Sequence, residues 1–315
     1  MTTTPRIQRV LFPTDFSACA EGAYRHAAWL ADRFDAELHV LHVVESDDAP
    51  ERDWPETPGT GHAQITLADV SEDLGLPRPP SDDDAVGVVE VVEAEVVGRR
   101  APEAILDYVH DEEVDLVVIG THGRRGWRRG VLGSVAEAVA RRAPCPVLTV
   151  RPLDAPGEGE WPPSRVLLAL DDPGDGGAPP TAARWAAGLA AAYHARLELV
   201  HVSDPAVAAL GGEAEAERER SRARVGLEAL AGALGRDAAG LPVAVEVRTG
   251  DPAATVRAVA EEVRTHLLVV GTHGRSGPGR ALLGSVAEAL VRTAPCPVLV
   301  VRDALAPDAR RGAAP

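Results

Sequence analysis

The stretch from Asp115 to Arg151 decides the fold and reads DLVVIGTHGRRGWRRGVLGSVAEAVARRAPCPVLTVR. An apolar run is followed by a glycine-rich loop, an alanine-rich segment with helical spacing and a second apolar run. The stretch from His266 to Arg302 reads HLLVVGTHGRSGPGRALLGSVAEALVRTAPCPVLVVR, with the same length and no gap. A match this long indicates an internal duplication.

The repeat continues upstream, more loosely, in both halves of the chain. The segment VLFPTD at Val10–Asp15 matches VLLALD at Val166–Asp171, and LHV at Leu41–Val43 matches VHV at Val200–Val202. A stretch rich in proline, glycine and acid separates the copies and has the composition of a linker. We therefore predict a first domain at 1–152, a linker at 153–164, a second domain at 165–303 and a disordered tail at 304–315.

Apolar strands and helical segments alternate along both copies. In the shared stretch of the first copy, strands are predicted at Val114–Gly120 and Pro146–Val150, with a helix at Ser134–Arg142 between them. Strands that are apolar on both faces and alternate with helices indicate a parallel sheet covered on both sides. The predicted fold class is α/β: two tandem open parallel five-stranded α/β sandwiches, Rossmann-like, with four helices each.

The remaining elements follow from the same patterns. In the first copy they are Ile7–Phe12, Ser17–Phe34, Glu37–Val44 and Pro102–His110. In the second copy they are Val166–Leu170, Thr181–Tyr193, Arg196–Val202, Glu213–Leu234, Val243–Thr249, Pro252–Arg264, Leu267–Gly271, Ser285–Arg292 and Pro297–Val301. The stretch from Asp47 to Asp84 is studded with Pro, Gly and Asp, and there we expect a long loop with at most a short helix near Gln64–Leu74.

Composition excludes several classes of function. Acidic residues outnumber basic ones by 48 to 32, for a net charge of -16, so no nucleic-acid partner is expected. The sequence contains no lysine, which excludes a Walker P-loop, a protein kinase and a pyridoxal Schiff base. No signal segment follows Met1 and no run approaches the roughly 18 apolar residues of a membrane span, so we expect a cytoplasmic protein without membrane contact.

The three cysteines, Cys19, Cys145 and Cys296, lack the spacing of a zinc or redox site. We expect them to be reduced packing residues and predict no metal ligands.

The glycine-rich loop has one spacing in both copies: Gly-x-x-Gly, nine residues, then Gly-Ser. Glycines let the backbone approach a ligand closely, and a following helix presents unpaired N–H groups and its positive dipole end to an anion. The pattern predicts a phosphate site. Clustered arginines favour it: Arg124, Arg125, Arg128 and Arg129 in the first loop, Arg275 and Arg280 in the second. The alternative is a solvated loop in which Ser134-x-x-Glu137 and Ser285-x-x-Glu288 are ordinary capping boxes.

A carboxylate, Asp15 or Asp171, follows the first predicted strand of each copy. Open α/β sheets bind ligands at the carboxyl ends of their strands, where such a group can accept a hydrogen bond from a ribose hydroxyl or a base amino group. The alternative role is N-capping of the next helix. A dinucleotide Rossmann site fits less well, because its glycine motif opens the first βα unit, whereas these loops follow the fourth strand.

Four histidines lie near these features, yet no general base is evident. His122 and His273 lie inside the glycine loops and could orient a phosphate or a water, although a structural or solvated role is commoner for a loop histidine. His42 and His201 are placed at strand ends, where we expect a packing role.

Taken together, four motifs resemble the universal stress protein family, and the resemblance covers nearly the whole chain. The motifs are Pro13-Thr-Asp-Phe-Ser17, Leu41-His-Val43, the Gly-x2-Gly-x9-Gly-Ser loop and the closing Pro144-Cys-Pro-Val-Leu. The resemblance implies a fold related to the adenine nucleotide α-hydrolases and a bound ATP or related adenine nucleotide, with or without Mg²⁺ on its phosphates.

By the same resemblance, Asp15 and Val43 would hold the adenosine, Val43 through its backbone. The ribose and phosphates would be lined by Gly120, Gly123, Gly133, Ser134 and Val135, to which the loop adds Arg124. The second copy offers Asp171, Val202, Gly271, Gly274, Arg275, Gly284, Ser285 and Val286. It departs from the family pattern where Ala169-Leu170 replaces Pro13-Thr14 and where the following turn is longer.

In the family the last strand pairs between domains. We therefore expect Val147–Val150 and Val298–Val301 to pair within this chain, as an internal pseudo-dimer, with a homodimer as the further option.

The leading interpretation is an adenine-nucleotide-binding module with a regulatory or protective role in stress, and not an enzyme beyond slow hydrolysis. One alternative is an ATPase or adenylyl-transfer enzyme of the related α-hydrolase folds, but those place a glycine/serine phosphate loop directly after the first strand, which Phe12-Pro-Thr-Asp-Phe-Ser lacks. Another is a nucleotide-free interaction scaffold. The glycine pattern, which both copies retain, argues against this alternative.

Overall fold

The computed structural model describes residues 5–17, 20–47, 61–66, 88–121, 133–151, 162–172, 179–238, 240–272 and 283–302. Contacts divide the chain into two units, one from Arg6 to Trp161 and one from Pro162 onward, to which Pro5 is also assigned. This division falls inside the linker predicted at 153–164.

The described part of the first unit is one sheet with helices. Its strands are β1 (Arg9–Thr14), β2 (Glu37–Glu45), β3 (Gly61–Thr66), β4 (Val88–Gly98), β5 (Leu116–Gly120) and β6 (Val147–Val150). Its helices are α1 (Ala20–Phe34), α2 (Ala101–Asp111) and α3 (Ser134–Arg142). The strand order is β3-β4-β2-β1-β5-β6, and every pairing is parallel except the antiparallel pairing of β3 with β4.

The second unit repeats this plan without the antiparallel strand. Its strands are β7 (Arg165–Leu170), β8 (Arg196–Ser203), β9 (Val243–Thr249), β10 (Leu267–Gly271) and β11 (Val298–Val301). Its helices are α4 (Thr181–Ala192), α5 (Pro205–Asp237), α6 (Pro252–Glu262) and α7 (Ser285–Thr293). The order is β9-β8-β7-β10-β11, all parallel. The predicted α/β class is confirmed, as are five strands and four helices for this copy.

Two expectations for the first unit are wrong. Its described sheet has six strands and not five, and one of them, β3, is antiparallel. Gly61–Thr66 forms a strand, where a loop with a short helix near Gln64–Leu74 was the expectation; Gly61 pairs with Glu93 and Thr66 with Val88. A strand of this kind is selected by the sheet edge to which it bonds, because strand formation depends more on its neighbours than on intrinsic propensity. Residues 67–74 lie outside the described ranges.

The strands β5, β6, β10 and β11 are buried on both faces. Residues 116–119 of β5 and 267–270 of β10 are fully enclosed, and all of β6 and β11 is buried. Alanine-rich helices cover them: ten of the twelve residues of α4 are buried. Small side chains allow a helix to approach a sheet closely, so these helices fix the strand ends with little freedom.

Left-handed backbone recurs at matching places in the two units. Asp35 and His194 follow α1 and α4, and Glu113 and Arg264 follow α2 and α6; all four have φ between 47° and 53°. Such residues commonly end helices. Among the described non-glycine residues, Phe16 is the remaining one with positive φ, at 57°, and it lies in the turn after β1 and not at a helix end.

The first unit buries a titratable histidine in α1. His26 is 1% exposed, and burial lowers its pKa to about 3. A histidine whose pKa is lower in the folded state contributes its full stability above pH 6.5 and loses it as the pH falls, because protons bind the unfolded chain first.

We expect this histidine to make the first unit acid-sensitive. Between pH 7.5 and pH 5 its contribution should fall by about 2 kcal/mol, since one pKa unit corresponds to about 1.4 kcal/mol. His26→Gln should remove that part of the slope. Urea unfolding at pH 7.5 and pH 5, with hydrogen exchange of α1 amides to assign the transition, measures it. Equal slopes in both proteins would contradict the assignment.

Candidate functional site

Each sheet has one place where its strand order changes direction. In the first unit it lies between β1 and β5, which pair in parallel through Val10 with Leu116; in the second it lies between β7 and β10, where Val166 pairs with Leu267. Because paired parallel strands end at the same edge, the two carboxyl ends open a crevice. This topological switch point is where open α/β sheets bind ligands.

Asp15 and Asp171 lie at this edge, directly after β1 and β7. Asp15 Oδ1 accepts a hydrogen bond from Ser17 N at 3.1 Å, which closes a local turn. The following helices begin later, α1 at Ala20 and α4 at Thr181 after the N-cap Pro180. The alternative role as N-caps is therefore wrong for both carboxylates.

The glycine that ends each glycine motif is bonded to the threonine that directly follows β5 or β10. Gly133 N donates to Thr121 O at 2.7 Å, and Gly284 N donates to Thr272 O at 3.0 Å. Both threonines are 1% exposed. These bonds place the starts of α3 and α7 at the carboxyl ends of β5 and β10. Those strands pair with β1 and β7, after which Asp15 and Asp171 follow.

The capping-box alternative is also wrong. Gly133 is the N-cap of α3, and its carbonyl accepts from Glu137 N at 2.9 Å, so Ser134 is already the first helical residue. Glu137 binds Arg141 at 3.0 Å; in α7, Gly284 is the N-cap and Glu288 binds Arg292 at 3.0 Å. Neither N-cap has a side-chain cap. Within the described ranges the first-turn amides are thus available to solvent or a ligand.

Most of the other helices with a described start have a carboxylate that accepts a hydrogen bond from an amide of the first turn. Asp204 Oδ1 accepts from Ala206 N at the start of α5, and Asp251 Oδ1 accepts from Ala254 N at the start of α6, both at 2.8 Å. Glu45 accepts from Ala101 N at α2. Helix α4, which follows a proline, has no side-chain cap. A carboxylate satisfies the positive end of a helix dipole, and α3 and α7 lack one at the N-cap.

Gly284 is required by close approach. Its φ of -62° and ψ of 150° suit any residue, so conformation does not demand glycine. A Cβ at this position would lie 2.9 Å from the backbone oxygen of Thr272. The glycine therefore lets the helix start sit directly against the strand end.

Val43 and Val202 lie near the ends of β2 and β8, and these strands flank β1 and β7 on the side opposite to β5 and β10. Each follows a histidine that bonds to the preceding strand: His42 Nδ1 lies 2.9 Å from Thr14 O, and His201 Nδ1 lies 3.0 Å from Leu170 O. Sequence reasoning assigned these histidines a packing role and missed the hydrogen bond. Their matching positions in the LHV and VHV segments were the signal that could have found it.

Several predicted groups lie outside the described residues. They are Gly123, Arg124, Arg125, Arg128, Arg129, Gly274, Arg275, Arg280, His122, His273 and Cys19. The other two cysteines, Cys145 and Cys296, are buried at 4% exposure each, as expected of packing residues.

Within the described ranges, no helix has the length and apolar content needed to cross a bilayer. In the same part of the chain, no three His, Cys, Asp or Glu side chains are grouped so that they could hold a metal ion.

Two tandem Rossmann-like units, each with a glycine-started helix at its switch point, define a duplicated α/β protein. The universal stress protein family model matches residues 6–151 and 163–302. The chain belongs to this family, in its tandem form.

The relatives agree with this assignment. The chain is 32% identical over 271 residues to universal stress protein Rv2005c of Mycobacterium tuberculosis, covering 84% of this chain and 87% of that one. A solved putative universal stress protein of Pseudomonas aeruginosa is 18% identical with a TM-score of 0.62, covering 94% and 93% of the two chains. One of Archaeoglobus fulgidus is 19% identical with a TM-score of 0.56, covering 94% and 98%. These two structures support the fold.

Proposed function

We propose that each unit binds ATP or a related adenine nucleotide in the crevice at its switch point. The observation that carries the proposal is the helix start without a side-chain cap. Gly133 and Gly284 are held against the ends of β5 and β10 by bonds of 2.7 Å and 3.0 Å, and neither helix has a carboxylate at its N-cap. Free amides and a positive dipole end attract phosphate oxygens.

The first-turn amides of Ser134 and Val135, and of Ser285 and Val286, would take the phosphates. Asp15 and Asp171 would accept hydrogen bonds from the ribose or the base, and the backbones of Val43 and Val202 would meet the adenine ring. Mg²⁺, where present, would be held through the phosphates and would neutralise their charge.

We propose a regulatory or protective role in the stress response, exercised in the cytoplasm, with at most slow hydrolysis. The crevice as described supports binding more than chemistry. His42 Nδ1 and His201 Nδ1 lie within hydrogen-bonding distance of backbone carbonyl oxygens, and Asp15 Oδ1 is engaged in its own turn. A general base must reach the proton that it removes, and these atoms have structural partners. Pairing of the two last strands and a homodimer stay predictions.

Denaturing the purified chain and separating the released small molecules tests the proposal. We expect an adenine nucleotide to co-purify or to bind on addition, with negligible phosphate release from added ATP. Rapid release would favour an enzyme of the related α-hydrolase folds. No binding by either unit would contradict the proposal and favour an interaction scaffold.

A further inference from the structure

In both units, a histidine of the second strand (β2 or β8) is hydrogen-bonded to the end of the first strand (β1 or β7). The Nδ1 atom of His42 lies 2.9 Å from Thr14 O, and that of His201 lies 3.0 Å from Leu170 O. A carbonyl oxygen only accepts hydrogen bonds, so Nδ1 carries the hydrogen and donates it in both cases. The same bond recurs although the acceptor residue differs between the copies.

This bond lies at the last rung between the strands. The strand register pairs Thr14 with His42 and Leu170 with His201. One residue further along each strand stand the groups proposed to hold the nucleoside, Asp15 and Val43 in the first unit. The histidine therefore holds the two strand ends together. Their separation determines whether one adenosine can contact both the carboxylate and the valine backbone.

In the first unit, the histidine also contacts the turn that follows β1, where the backbone of Phe16 is left-handed. Phe16 has a φ of 57°, and its ring lies 4.9 Å from the His42 ring, centroid to centroid. Phe16 N donates to Thr14 Oγ1 at 3.0 Å. Left-handed backbone is rare for a bulky residue and persists where the surroundings hold it. The His42 ring is thus in contact with the residue that directly follows Asp15.

We propose that His42 and His201 are positioning residues for the nucleoside half of the site. Each holds the end of the first strand against the second, and so sets the place of the carboxylate relative to the backbone of Val43 or Val202. The inference rests on the proposed function for its effect on affinity, but the positional effect can be measured without any nucleotide.

The test compares a variant without the donor to one that keeps it. His42→Leu with His201→Leu removes Nδ1, whereas His42→Asn with His201→Asn offers an amide nitrogen at nearly the same place. We expect the Leu pair to weaken binding of adenosine and of ATP equally, by about tenfold, as the loss of one ordering hydrogen bond allows. The Asn pair should stay within about threefold of the unmodified chain.

The readout independent of nucleotide is hydrogen exchange of the Ser17 amide, which donates to Asp15 Oδ1 at 3.1 Å. It should be faster in His42→Leu than in His42→Asn. Equal exchange in the two variants would overturn the proposal even if no nucleotide bound. Equal loss of affinity in the Leu and Asn pairs, or a lower melting temperature with unchanged adenosine affinity, would overturn it as well. Failure of the unmodified chain to bind adenosine or ATP would instead contradict the proposed function.

Discussion

A carboxylate placed at the start of both glycine-started helices, by Ser134→Asp with Ser285→Asp, is expected to weaken ATP binding by about 100-fold or more and to raise thermal stability. Both serines are exposed first residues of their helices. A negative side chain at a helix N-terminus stabilises the helix by about 0.3–1 kcal/mol. The same charge repels a phosphate that occupies this place, at a cost of several kcal/mol.

The opposite signs of the two effects make this test sharp. A variant that lost binding through misfolding would melt at a lower temperature, whereas here the melting temperature should rise. Ser134→Asn with Ser285→Asn is the matched control, because it has nearly the same size without the charge. Single variants assign the loss to one unit or the other. Unchanged ATP affinity in the double Asp variant would contradict a phosphate site at these helix starts.

Gly284→Ala is expected to destabilise the second unit by about 1–3 kcal/mol, the usual range for overpacking a close contact. The added Cβ would lie 2.9 Å from Thr272 O, and a backbone oxygen bonded to Gly284 N cannot move aside cheaply. Urea unfolding of the second unit measures the loss of free energy. Replacement of this glycine therefore disturbs the packing of the start of α7 against Thr272 as well as any bound ligand. For this reason it tests binding less directly than the serine variants do.

Gly232→Ala is the matched control for that substitution. Gly232 lies inside α5, where an added Cβ would meet the Nη1 atom of Arg236 at 3.3 Å, the end of a flexible side chain. Alanine in a helix interior is favoured over glycine by about 1 kcal/mol. The same chemical change should thus stabilise the unit at 232 and destabilise it at 284. A stabilising effect at both positions would show that the close approach at Thr272 is relieved by small shifts.

Much of the fold could be predicted because the duplication presents each strong local pattern twice. Buried strands such as β5 and β10 are continuous apolar runs, and alanine-rich helices follow them. The strand β3 could not be predicted in this way. Its segment, GHAQIT, alternates small or apolar residues with polar ones for only six residues and has one large apolar side chain. Its hydrogen bonds go to β4, 22 to 32 residues away in sequence. Only the finished edge of the sheet selects it.

The candidate site was predictable in its residues more than in its geometry. The spacing of the glycines identifies Gly133 and Gly284, but Ser-x-x-Glu is also the pattern of a capping box. The structure excludes that alternative because each helix begins one residue earlier than a capping box requires, with the glycine and not the serine as its N-cap. The left-handed φ of Phe16 and the bond from His42 to Thr14 O depend on how β1 and β2 end side by side, which no local pattern in the sequence specifies.

Parallel calorimetric titrations of ATP and adenosine into the unmodified chain, at low ionic strength, test the central claim most directly. If main-chain amides at the starts of α3 and α7 hold the phosphates, ATP should bind at least about tenfold more tightly than adenosine, since charge-assisted bonds to a phosphate add more than 1.4 kcal/mol. Equal affinities for the two ligands, or no heat with ATP, would contradict it.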